Sequence, residues 1–90
     1  MPFRISYTEE VFRALRSMPG RYRQRVRRLI EALSTNPHPP GSKELRGLPG
    51  RFRLRFNGWR VIYRFDEDTN NLLVLAVRRK SGPETYQELE

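Results

Sequence analysis

The stretch RFRLRFNGWRVIYRF, residues 51–65, decides how this chain folds. Asn57-Gly58 separates two runs of strand-forming chemistry, and Asn-Gly is the pair that best tolerates the positive φ angles of a tight two-residue turn. With those two residues as the whole loop, Phe56 stands opposite Trp59. Pairing then runs Arg55 with Arg60, Leu54 with Val61, Arg53 with Ile62, Phe52 with Tyr63 and Arg51 with Arg64. Side chains alternate between faces along a strand. Phe52, Leu54, Phe56, Trp59, Val61 and Tyr63 therefore share one face, and Arg51, Arg53, Arg55, Arg60, Ile62 and Arg64 share the other. The first face is core. The second gathers five guanidinium groups, two pairs of them directly opposed, each pair costing a few tenths to about 1 kcal/mol. No acid lies within either run, so this face is expected to meet an anion.

Outward from the hairpin, the N-terminal side begins with Phe3, Ile5 and Tyr7 alternating with Arg4 and Ser6, the period of a short strand. Thr8 offers a helix cap, Glu9 and Glu10 suit a positive first turn, and Val11, Leu15 and Met18 recur at helical spacing up to Pro19-Gly20. A second helix carries Val26, Leu29, Ile30 and Leu33 on one side and Arg21, Arg23, Arg25, Arg27 and Arg28 on the others. Asn36-Pro37-His38-Pro39-Pro40-Gly41 ends it. On the C-terminal side, residues 66–71 form a turn and Leu72 to Val77 a continuous apolar strand, expected to be covered on both faces. The order β-α-α-β-β-β predicts an α+β fold, with two N-terminal helices packed on a mainly antiparallel four-stranded sheet. At 90 residues the chain is expected to be a single domain, 1–90.

The formal charge is +8, and 16 of the 18 basic residues are arginine. Residues 1–30 carry +6, residues 31–62 +4 and residues 63–90 −2, so the field belongs to the first two thirds. Arginine is permanently charged and forks onto phosphate oxygens, which makes nucleic acid the leading partner. There is no cysteine, hence no disulfide, and no apolar run approaches the roughly 20 residues of a membrane span. A soluble, cytoplasmic protein without membrane contact is expected.

The inventory narrows the chemistry. A single histidine, His38, excludes a paired-histidine ribonuclease. Asp66, Glu67 and Asp68 read as a solvated acidic loop, and no metal site or other cofactor is expected. There is no phosphate-binding glycine loop and no serine or cysteine nucleophile motif. What remains is an arginine cluster with Tyr86 and Lys80, and such a set can cut RNA without metal. The arginines hold the scissile phosphate, the substrate's own 2′-hydroxyl attacks, and Tyr86 or Lys80 moves the proton that arginine cannot. Arg51, Arg64, Arg78 and Arg79 are candidates for further RNA contacts.

Lys43-Glu44-Leu45-Arg46-Gly47-Leu48-Pro49, Phe52-Arg53-Leu54-Arg55, Gly58-Trp59-Arg60-Val61-Ile62-Tyr63, Val77-Arg78-Arg79-Lys80 and Glu84-Thr85-Tyr86 together resemble the RelE/ParE toxin superfamily, in particular its RelE branch. The resemblance spans nearly the whole chain. It implies a ribosome-dependent endoribonuclease that cleaves messenger RNA at A-site codons. It also implies an acidic, RelB-like antitoxin, with operator DNA bound only through the antitoxin complex. Carried over position by position, it implies catalytic roles for Arg53, Arg55, Arg60, Lys80 (or Arg79 if the loop slips) and Tyr86. The first two are commonly lysine in the branch, and Lys80 falls where arginine is common. Two alternatives stay open: a ParE-type inhibitor of DNA gyrase, and a noncatalytic nucleic-acid-binding module.

Overall fold

A computed structural model of the protein describes residues 2–79. The elements are β1 (Arg4–Tyr7), α1 (Glu9–Ser17), α2 (Gly20–Leu33), β2 (Ser42–Glu44), β3 (Arg51–Phe56), β4 (Trp59–Asp66) and β5 (Asn71–Arg79). The sheet runs β1-β5-β4-β3-β2, with β1 parallel to β5 and every other neighbour antiparallel. The α+β architecture is the expected one, but the sheet has five strands rather than four. The additional strand, β2, pairs Ser42 with Leu54, Lys43 with Arg53 and Glu44 with Phe52.

Local chemistry sets each boundary. The Thr8 hydroxyl accepts from the Val11 amide at 3.3 Å and donates to the Leu75 carbonyl at 3.0 Å, so one side chain caps α1 and ties it to β5. Asn57 and Gly58 adopt φ of 45° and 81°, the two positive values a primed hairpin turn requires. All six β3–β4 pairs follow the register set by that turn. The helices bury Val11, Leu15, Met18, Val26, Ile30 and Leu33 against Leu54, Val61, Tyr63, Leu72, Val74 and Val77. The proline-rich connector is docked onto the same side of the sheet. Tyr63 donates its phenol proton to the Pro37 carbonyl at 2.7 Å, and the His38 ring stands edge-on to Phe52 and Phe65, centroids 4.8 and 5.1 Å away.

The apolar strand β5 departs from simple alternation. Tyr63 pairs with Val74 but Ile62 pairs with Ala76, leaving Leu75 as an extra residue. Continued without that bulge, the register would set Val77 beside Arg60. With it, Val77 joins Val61 in the helix-side core and Arg78 becomes the partner of Arg60.

Candidate nucleic-acid interface

The sheet face turned away from the helices carries its basic residues in transverse rows. Arg55, Arg60 and Arg78 are successive register partners on β3, β4 and β5. Two residues along β3, Arg53 has Lys43 on one side and Ile62 then Ala76 on the other. Two residues further on, Arg51, Arg64, Leu73 and Ser6 complete a third row across β3, β4, β5 and β1. β4 and β5 are neighbours in the sheet, which brings Arg78 beside the hairpin arginines.

Burial divides these side chains in a way that alternation alone does not reveal. Arg51, Arg55 and Arg64 are exposed, whereas Arg53 is 6% and Arg60 1% exposed. All five arginines keep the face that alternation assigns them, but only three of them are exposed. Leu45, from the loop after β2, folds onto Ile62 and Ala76 with Leu75 alongside, forming a small second apolar cluster on the basic face. Arg53, Arg55 and Arg60 are each engaged in interactions of their own within the chain. Arg78 is half-exposed and its Nε lies 3.4 Å from the Glu10 carboxylate of α1. An exposed pair of this kind is worth at most about 1 kcal/mol, so it steers Arg78 without immobilising it.

The remaining sequence candidates fall differently. Arg79 pairs with Trp59, so its place in the register is on the helix side of the sheet, apart from the Arg60 row. Lys80 and Tyr86 lie outside the described residues. Lys43 went unassigned in the sequence reading, yet it is exposed and stands in register with Arg53. Its strand is pinned at both ends. Ser42 donates from its amide and hydroxyl to the Pro39 carbonyl at 3.0 and 2.8 Å, and Gly50 donates to the Glu44 carboxylate at 2.9 Å. In the acidic turn the Asp66 carboxylate accepts from the Asp68 amide at 2.9 Å. Among the described residues no group of three or more His, Cys, Asp or Glu side chains is arranged to hold a metal ion.

The register thus clusters arginines on one face of the sheet and makes that face electropositive. The family model for the ParE toxin of type II toxin-antitoxin systems matches residues 5–82, and the chain belongs to that family, a toxin of the RelE/ParE superfamily. A putative toxin RelE1 of Methanocaldococcus jannaschii is 27% identical over 85 residues, covering 91% of this chain and 94% of that protein. Among solved structures, the toxin-antitoxin complex RelBE2 of Mycobacterium tuberculosis superposes with a TM-score of 0.77 at 28% identity, covering 88% of this chain and 99% of that one. The RelE-RelB complex of Pyrococcus horikoshii shares the fold, with a TM-score of 0.80 at 23% identity over 92% of this chain and all of that one.

Proposed function

We propose that this toxin is a ribosome-dependent messenger-RNA endoribonuclease that acts in the cytoplasm, cuts A-site codons and so halts translation. The observation that carries the reading is the convergence of Arg55, Arg60 and Arg78 in one transverse row, with Arg53 one step along β3. Arg53, Arg55 and Arg60 would hold the scissile phosphate and neutralise the charge that grows on it. The substrate's 2′-oxygen forms the new bond to phosphorus while the bond to the 5′-oxygen breaks, leaving a cyclic phosphate and a free 5′-hydroxyl. Tyr86 and Lys80 are assigned the proton transfers, one from the 2′-hydroxyl and one to the leaving oxygen. Arg51, Arg64 and Arg78, on the same face, bind RNA beyond the reacting phosphate.

Because Arg53 and Arg60 are shielded in the free chain, RNA must displace their cover to reach them. A phosphate that does so meets charges in a poorly solvated setting, where each is worth more than in water. The partner that restrains this activity is an acidic RelB-like antitoxin, and operator DNA is bound only through that complex. The solved relatives from Mycobacterium tuberculosis and Pyrococcus horikoshii, both crystallised with an antitoxin, support this assignment.

A second reading is favoured by the matched family model itself, which describes ParE toxins. In it the basic face serves only for docking, and the target is DNA gyrase. Induction of the chain in bacteria without antitoxin separates the two. Blocked translation with cut messages is the expected result, and intact messages with double-strand DNA breaks would overturn it.

A further inference from the structure

We propose that a hollow on the basic face, at the opposite end of the hairpin from Arg55 and Arg60, is a binding site for a guanine base. The hollow has a volume of about 850 Å³, within the range of small-molecule sites, and lies between Pro49-Gly50 and the turn that follows β4. One wall is the pair Arg51 and Arg64, directly opposed across β3 and β4. The other is the acidic turn of Asp66, Glu67 and Asp68. Leu73, the register partner of Arg64, supplies apolar surface between them.

Charges of both signs line this hollow, yet among the described residues no ion pair closes across it. Among the described residues, neither Arg51 nor Arg64 has an ion-pair or side-chain hydrogen-bond partner in the hollow. Asp66 spends one carboxylate oxygen on the Asp68 amide. Donors therefore stand ready on one wall and acceptors on the other. A phosphate would suit the arginines but meet three carboxylates, and a cation would meet the reverse. The matching ligand presents acceptors on one edge and donors on the next. Guanine does so, with N7 and O6 accepting and N1–H and the N2 amino group donating. Adenine and uracil alternate donor and acceptor along the corresponding edges, and cytosine sets one donor beside two acceptors, so none presents two adjacent acceptors followed by two adjacent donors. Unpaired bases of single-stranded RNA are free to enter such a pocket edge-first.

Arg51 lies four residues from Arg55 on β3, or about 13 Å at the strand rise of 3.3 Å per residue. The base therefore belongs to a flanking nucleotide and not to the one being cut. The inference rests on the ribonuclease reading for the source of the base, but the binding can be tested alone.

The test is titration of the full chain with guanosine monophosphate, adenosine monophosphate, cytidine monophosphate, uridine monophosphate and inorganic phosphate, followed by amide chemical shifts. The expected result is a guanosine response at residues 51 and 64–73, with about tenfold preference over the adenosine nucleotide. Arg64→Met and Glu67→Gln, both at exposed positions, should each remove that preference while the thermal melt stays unchanged. Equal responses to all four nucleotides, the same shifts from phosphate alone, or no response at these residues would overturn the assignment. Guanosine binding without message cleavage in induced cells would leave the hollow assigned and sink the ribonuclease reading. Cleavage without guanosine binding would do the opposite.

Discussion

Tyr63 and Arg60 are both fully packed, and the two side chains illustrate what burial does to a polar group in this fold. Tyr63 finds its partner in the Pro37 carbonyl, so its burial fixes the connector to the sheet. Burial pushes its phenol above the usual tyrosine range, with the Ser42 hydrogen bond opposing, and burial does the same to Tyr7 against the opposing charge of Arg27. A raised folded-state value means that the contribution to stability is complete below the ordinary tyrosine value, near pH 10, and is lost as pH climbs through the folded one. Urea midpoints should therefore hold between pH 8 and 10 and fall above that. Tyr63→Phe should lower stability at neutral pH by about 1–2 kcal/mol, because it strands the Pro37 carbonyl, and should flatten the alkaline decline. An unchanged midpoint in Tyr63→Phe would mean that the connector is held by the His38 contacts instead. Arg60, by contrast, carries a guanidinium, and its burial places that group where water competes least.

Among the elements, the hairpin and both helices were legible because each is written locally. Asn57-Gly58 fixes the register of β3 and β4 by turn chemistry, and Val26, Ile30 and Leu33 announce the buried side of α2 by their spacing. β2 was not legible. Ser42, Lys43 and Glu44 have no apolar alternation, and the strand exists because β3 offers an edge and because Pro39 and Gly50 anchor its ends. The bulge at Leu75 was equally hidden, since a continuous apolar run does not say which residue will be skipped. The shielding of Arg53 and Arg60 escaped for a related reason: periodicity assigns a side chain to a face but is silent on what covers that face. On that same face the loop after β2 adds the Leu45 cluster, packed on Ile62 and Ala76. Leu45→Ala should cost about 2–3 kcal/mol by opening a cavity there. Amide exchange should accelerate first at residues 42–44. Uniform acceleration over the whole sheet would show instead that β2 and the loop are not a separate stabilising unit.

At the scale of the molecule, positive charge occupies two surfaces: the outer sides of the helices, with Arg13, Arg16, Arg23 and Arg27, and the far face of the sheet. Both should give salt-sensitive association with RNA or the ribosome, so binding alone cannot tell a docking surface from a reaction centre. The chemical step can. The direct measurement is single-turnover cleavage on saturated, programmed ribosomes, comparing Arg55→Met and Arg60→Met with Arg23→Gln and Arg27→Gln, each checked by thermal melting. The two sheet variants should lose at least ~10²-fold in the cleavage step, as removal of a transition-state donor does. The two helix variants should cleave at the parental rate once bound. Parental cleavage by folded Arg55→Met and Arg60→Met would contradict the catalytic assignment, and would reduce the arginine rows to a surface for docking.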